Sequence, residues 1–118
     1  MGLTSARAAA ILDAELVATD YIMWSVNGTT ETANVPRVAV AAWGAATVAD
    51  PAEKTHTGIL LTGGASGAAV VSHWSVNSAA AAGTQKTDWE PFTGAVTKTL
   101  AVGDKLEAAA SALKVRLT

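Results

Sequence analysis

The chain has 118 residues, a formal net charge of −2 and no cysteine, and half of its residues are hydrophobic. The missing cysteines exclude disulfides, Cys-based zinc sites and thiol catalysis, and the eight scattered Lys and Arg residues argue against nucleic-acid binding. No apolar run approaches the roughly 18 residues that span a bilayer, so no membrane partner is expected. The length predicts a single domain over residues 1–118. Only 15% of the residues are charged, against about 25% in a typical domain, which indicates that another protein covers part of the surface.

The first predicted element is an N-terminal helix, whose first turn Thr4 or Ser5 can cap. It ends at residues 17–19, where the period of the pattern changes, so residues 1–19 form an arm and helix ahead of the rest. Asp13 and Glu15 interrupt the apolar stretch, and a secretory signal peptide is therefore not expected. The apolar stripe of the helix comprises Ala8, Ile11, Leu12 and Leu16.

The stretch DYIMWSVNG then alternates with the period of two that is typical of a strand. The face that contains Trp24 is wholly apolar and is predicted to face the core, whereas the face that contains Met23 is predicted to be exposed. Asn27 and Gly28 form a strong turn signal, and a polar loop follows at residues 29–36. The core-facing set is Ile22, Trp24 and Val26, and the exposed set is Tyr21, Met23 and Ser25.

The middle of the chain alternates between short strands and loops. Residues 37–48 and 58–62 are predicted as strands, and residues 49–57, which contain Asp50-Pro51, as a loop. The Gly-rich residues 63–67 indicate a hairpin loop, since they lack the spacing and the Lys of a phosphate-binding loop. Residues 68–77 form another strand, and residues 78–88 are a loop or one weak helical turn, with the loop favoured.

The C-terminal part is predicted as further strands. WEPF is extended because Glu90 precedes a proline, and Gly103-Asp104 forms a turn. Residues 105–114 are rich in helix formers, but the alternation on both sides favours a strand, a turn near Ala110-Ser111 and a strand. In the last strand Leu113, Val115 and Leu117 point inward, and Lys114, Arg116 and Thr118 outward.

These elements predict a mainly β fold. One N-terminal helix precedes roughly seven or eight short strands joined by turns, which is typical of a β-sandwich or a jelly-roll-like domain. Residues 20–118 would form the sandwich.

The tetrad WSVN occurs twice, at 24–27 and 74–77. Its flanks do not match, and a duplicated module should match at more positions. We therefore interpret the two copies as similar solutions for a core strand that ends in a turn, rather than as a duplication. A pair of Trp side chains that binds sugar is a further alternative.

The sequence contains no recognisable catalytic or cofactor motif. His56 falls in a predicted polar loop and His73 on a predicted strand, with no spacing that suits a metal site. The ten carboxylates are scattered, and there is no nucleophile elbow or Ser/His/Asp motif. The expectation is a protein without enzyme activity, metal or cofactor.

Several stretches together resemble a family of small structural proteins of tailed phages, especially phages of actinobacterial hosts, whose members are described as minor capsid, head decoration or tail-fibre-like proteins. The N-terminal stretches are LTSARAAAILDAEL, DYIMWSVNGT and RVAVAAWGAAT, and those later in the chain are VVSHWSVNSAAAAGTQKTDW and TKTLAVGDKLEAAASALKVRLT. The chain departs from the family pattern at Glu107-Ala108, where an aromatic residue is common. The matching positions are His73, Trp74, Val76, Leu100, Gly103, Asp104, Leu106, Leu113, Val115 and Leu117.

The resemblance implies a virion structural protein without enzyme activity. It would act as a decoration or cement protein that binds the outer face of the capsid and bridges neighbouring major capsid protein subunits. The partners would be the major capsid protein and further copies of the chain, with a trimer favoured, and the location the capsid exterior of a virion assembled in the host cytoplasm. The alternative is a tail or tail-fibre component that binds a receptor or a saccharide through Trp43 or Trp89.

Three segments are least needed by a core and are predicted to contact other proteins. They are the arm at residues 1–7, the loop at residues 29–37 and the strand face with Tyr21 and Met23. Ordinary solvent-exposed surface is the alternative for each. The predicted interface residues are Leu3, Thr4, Arg7, Tyr21, Met23, Thr30, Glu31, Asn34 and Arg37.

Overall fold

The computed structural model describes residues 3–117, so the arm residues 1 and 2 and the outward-facing Thr118 lie outside the described residues. Among residues 3–117 one α-helix, α1, precedes ten short strands. The fold is therefore mainly β with one N-terminal helix, and the prediction is confirmed. The bounds are α1 Ser5–Glu15, β1 Tyr21–Ser25, β2 Val38–Ala39, β3 Ala52–Thr55, β4 Leu60–Leu61, β5 Ala69–Val71, β6 His73–Asn77, β7 Glu90–Pro91, β8 Lys98–Leu100, β9 Glu107–Ala108 and β10 Lys114–Leu117.

The strands form small antiparallel sheets around one core. The largest sheet has four strands in the order β2-β1-β6-β7, and three pairs, β10-β3, β4-β9 and β5-β8, complete the sandwich. Helix α1 packs on β3 and β10. The predicted C-terminal strand, turn and strand are confirmed as β9, a turn with Ser111 at φ +62°, and β10.

Helix α1 begins where the sequence predicts, because the Thr4 hydroxyl accepts a hydrogen bond from the Arg7 N–H at 3.3 Å. Its buried face differs in one position from the apolar stripe predicted from the sequence. Ile11 is 44% exposed, and Ala9 is buried instead. The helix is therefore rotated so that its small side chains face the sheet. The buried residues of this face are Ala8, Ala9, Leu12 and Leu16.

The prediction of an exposed strand face on β1 is wrong for Met23, which is only 3% exposed. β1 lies between β2 and β6, and the Asn77 amide nitrogen packs 3.8 Å from the Met23 sulfur. Ser25 is also buried, and its hydroxyl donates to the Thr30 main-chain oxygen at 2.6 Å. Val26, predicted to face the core, is 45% exposed because the strand ends at Ser25.

The prediction of a loop at residues 49–57 is also wrong, since β3 lies within it and pairs with β10. Ala52 and Lys54 are buried there, and a charged residue at an inward position hides the alternation of a strand. The Lys54 ammonium is held by the Asp13 carboxylate at 2.6 Å and the Gly44 carbonyl at 2.9 Å. The alternation of buried and exposed residues in β3 can be recognised only when these distant partners of Lys54 are known.

His56, which follows β3, is fully buried rather than in a polar loop. Its Nε2 accepts the Leu113 N–H at 3.2 Å, and its Nδ1 lies 2.7 Å from the Gly58 carbonyl oxygen. Because the main-chain N–H of Leu113 can only donate, Nε2 of His56 must be the acceptor and Nδ1 must carry the proton. His56 therefore joins the end of β3 to the start of β10.

The two WSVN tetrads meet in the four-stranded sheet, with Trp24 directly opposite Trp74 on the paired strands β1 and β6. In each tetrad the Asn side-chain oxygen accepts a main-chain N–H two residues on, from Thr29 at 2.9 Å and from Ala79 at 3.1 Å. These are Asx turns. The geometry fits two core strands that each end in a turn.

Candidate docking groove

Two adjoining clefts of about 470 and 410 Å³ lie between α1, β7 and β10. Because the clefts share lining residues, we treat them as one groove, which we name the β7–β10 groove. It runs between the last strand of the four-stranded sheet and the β10–β3 pair. The shared residues are Trp74, Glu90, Lys114 and Arg116.

The floor of the groove on the side away from α1 is aromatic and aliphatic. Trp24 and Phe92 line it, with ring centroids 6.3 Å apart and planes tilted by 39°. Leu106 and Leu113 add aliphatic surface. The Trp24 indole N–H is buried and has no hydrogen-bond acceptor among residues 3–117. Charged side chains line the same cleft, among them Glu90, Lys98 and Glu107.

The β10 wall of the groove is an open strand edge. On the far side of β3, Thr55 and Glu53 present their carbonyls to Gly44 N–H at 2.8 Å and Thr47 N–H at 2.9 Å. The alternate β3 residues, Ala52 and Lys54, must therefore be the ones that exchange hydrogen bonds with β10.

Ala52 and Lys54 lie opposite Leu117 and Val115. The main-chain groups of Lys114 and Arg116 consequently point away from β3, toward the groove. Within the described part of the chain no backbone group pairs with them. β10 thus offers two N–H groups and two carbonyls to an incoming strand.

The two walls differ in charge. Lys114 and Arg116 project from β10, and the nearest anion on their own wall is Glu53, at 4.0 and 3.8 Å. Asp88 and Glu90 line the opposite wall. Exposed pairs at these distances contribute less than about 1 kcal/mol, so the cations remain available to another partner.

The helix wall of the groove is fixed by a buried charge. Asp20 is fully buried, and its Oδ1 lies 2.9 Å from Lys86 Nζ, an ion pair without hydrogen-bond geometry. Lys86 also donates to the Glu15 main-chain oxygen at 2.6 Å, at the end of α1. The negative end of the helix dipole favours a cation at this position.

A second ion pair holds α1 from the other side. The Asp13 carboxylate accepts from Lys54 and from the Ala46 N–H at 2.9 Å. The hydrogen bond from Lys54, followed by that from Ala46, lowers the pKa of Asp13 below its ordinary value. The C-terminal end of the helix is therefore held against the sheet by contacts at Asp13 and Glu15.

The arm and loop residues of the predicted interface lie away from the groove, and some make contacts within the chain. Leu3 and Arg7 are exposed, while Thr4 caps α1. In the loop at residues 29–37, Asn34 donates to the Ala68 carbonyl at 3.1 Å.

Arg37 forms the strongest of these contacts. Its guanidinium makes two hydrogen bonds to Glu31, at 2.7 and 2.8 Å, and donates to the carbonyls of Ala79 and Ala82 at 2.8 and 3.0 Å. The hydrogen bonds that Arg37 donates to the Glu31 carboxylate raise the pKa of Arg37. Arg37 thus ties the loop at residues 29–37 to the loop at residues 79–82.

Thr30 is exposed and Tyr21 is half-buried, so both remain available to a partner, unlike Met23. A role of these loop and strand residues in an interface stays a prediction. The groove itself was missed from the sequence. Two features of the sequence point to the groove. Cations alternate with aliphatic residues at 113–117, and Pro91 is typical of an edge strand.

The two Trp residues outside the tetrads are half-buried. Trp43 donates its indole N–H to the Val17 carbonyl at 3.1 Å and packs against the core. Trp89 lines a shallow polar cleft with Gln85 and Asp88. Trp89 is therefore the better placed of the two for a saccharide.

No protein-family model matches the chain, and no curated protein matches its sequence. None of the helices in the part that the structure describes is long and apolar enough to cross a membrane. Across residues 3–117 there is also no group of three His, Cys, Asp or Glu residues that could hold a metal ion.

Proposed function

We propose that this chain is a structural protein of a tailed-phage virion that decorates the outer face of the capsid and bridges neighbouring major capsid protein subunits. Its role is structural rather than enzymatic, and it acts by adding contacts between subunits. It does so as a symmetric homo-oligomer, with a trimer favoured. The observation that carries the proposal is a β-sandwich with an open strand edge beside a groove. The chain also resembles a family of phage virion structural proteins described as minor capsid, head decoration or tail-fibre-like proteins.

The exposed aliphatic side chains support a role in an assembly. Ten large aliphatic residues among residues 3–117 have substantial exposure, including Val48, Ile59 and Val102. Scattered apolar residues are normal on a surface, but so many in a chain with few charges favour burial by other subunits. Many weak contacts repeated over a lattice combine into strong attachment.

A tail or tail-fibre component is the second candidate. Trp89 supports it, because a half-exposed indole beside Gln85 and Asp88 offers an apolar face and polar groups to a sugar ring. In that case the protein would bind a receptor or saccharide rather than the capsid.

Co-sedimentation separates the two candidates. Purified protein is mixed with capsids that lack it and, separately, with isolated tails. Saturable binding to capsids at a fixed ratio to the major capsid protein is expected. Binding to tails alone, or to neither particle, would overturn the capsid proposal.

A further inference from the structure

We infer that the β7–β10 groove binds an extended peptide segment of another protein, which adds a strand to the open edge of β10. Apolar side chains at alternate positions of the segment would pack on the half-buried Phe92 and Val115. The inference rests on the proposed function, since it names the surface that would hold the capsid partner.

The open edge determines the shape of the occupant. The free main-chain groups of Lys114 and Arg116 are two residues apart, roughly 7 Å along the strand. An extended strand presents its own N–H and carbonyl groups at the same repeat, and strand addition to an exposed edge is a common mode of peptide recognition. The groove also continues past both ends of this edge, from α1 to Leu106.

The floor of the groove favours apolar side chains. Phe92 is half-buried and lines the groove beside the buried Trp24. Val115 is also half-buried and lines the part of the groove nearer α1. An aliphatic or aromatic side chain of the segment would cover the exposed parts of both residues.

The charges identify the partner more closely. A second copy of β10 would place cations opposite cations, which destabilises an antiparallel pair. On the other wall, Pro91 has no N–H to offer, so β7 is a protected edge. The favoured segment pairs with β10 and carries acidic residues beside Lys114 and Arg116, alternating with apolar residues that face the floor.

The test removes the edge without removing the fold. In Arg116→Pro the main-chain N–H that faces the groove is lost, and proline is tolerated at such positions. Arg116→Ala keeps that N–H and is the matched control. Ala112→Trp fills the cleft from an exposed lining position, and Ala110→Trp adds the same side chain at an exposed position outside the cleft. Melting curves verify that each variant is folded.

Each variant is then co-sedimented with capsids that lack the protein. We expect Arg116→Pro and Ala112→Trp to weaken binding roughly tenfold or more, about the effect of one lost hydrogen bond or a blocked side chain. Arg116→Ala and Ala110→Trp should change it only a few-fold. Equal binding of wild type and all four variants would overturn the inference that the groove binds the capsid partner, while leaving the capsid proposal intact.

If the wild type binds no capsids, the proposed function fails, and the groove is tested by itself. A yeast-displayed library of random linear peptides is selected on the wild-type protein and then against Arg116→Pro and Ala112→Trp. Peptides that bind only the wild type and alternate acidic and apolar residues would support the inference. A selection that yields no such peptides would refute it.

Discussion

Replacing His56 by alanine should destabilise the domain by about 3 kcal/mol. The imidazole is fully buried and accepts the buried Leu113 N–H at 3.2 Å. Its removal leaves that N–H without a partner, which costs about 1–3 kcal/mol. The cavity left by the ring adds roughly 1–2 kcal/mol. The Gly58 carbonyl contributes little, because Gly58 is exposed and its oxygen can bond to water instead.

The matched variant is His56→Gln, whose side-chain oxygen can replace Nε2 as the acceptor for Leu113. It should lose only about 1 kcal/mol, since one hydrogen bond and most of the volume are retained. Urea unfolding followed by Trp fluorescence measures the free energy of unfolding of each variant. A loss below about 1 kcal/mol for alanine, or equal losses for both variants, would show that His56 does not join β3 to β10 as described.

Further predictions concern the brace around α1. Lys86→Met leaves the Asp20 carboxylate buried without its cation and should lower the free energy of unfolding by about 3 kcal/mol, which a second change, Asp20→Asn, should partly restore in the same urea titration. Because the pKa of Asp13 is lowered in the folded protein, its contact with Lys54 stabilises the fold above the ordinary carboxyl pKa, and this stability is lost as the pH falls through the pKa of the folded state. Asp13→Asn should therefore have a melting temperature that depends less on pH than that of the wild type, as measured by thermal unfolding across the acid range. Leu12→Asp should cost about 3 kcal/mol in melting experiments, and an unchanged melting curve would mean that α1 is a free arm.

The helix and the C-terminal strands were predictable because they depend on local signals. Thr4 is a good helix cap, and the alternation from Leu113 to Leu117 matches one strand with one buried face. Neither signal needs a partner from elsewhere in the chain. The turn at Ser111 followed from the alternation on both of its sides.

The errors arose where a distant contact decides the structure. Lys54 is buried in β3 because Asp13 neutralises it, and nothing near it in the sequence indicates this. Met23 is buried because β1 is a central strand whose two faces are both covered. A period of two indicates which residues share a face but does not indicate whether that face is covered.

The groove was not predictable for the same reason. Its walls come from residues 88–92 and 114–117, which only the completed sandwich brings together. Pro91 suggests an edge strand, but the open side of β10 follows only from the hydrogen bonds that β3 makes on its far side. An absent neighbour is a property of the topology rather than of a residue pattern.

The pairing of β3 with β10 also orders the events of protein synthesis. Helix α1 emerges from the ribosome well before β10, on which it packs. The contacts between α1 and β10 therefore form only after residues 114–117 have been made, and contacts between such distant segments slow folding. A nascent chain that stops before residues 114–117 has neither a closed core nor the strand that would hold a partner. Copies without these residues would lack the proposed edge for a partner, because β10 forms one wall of the groove.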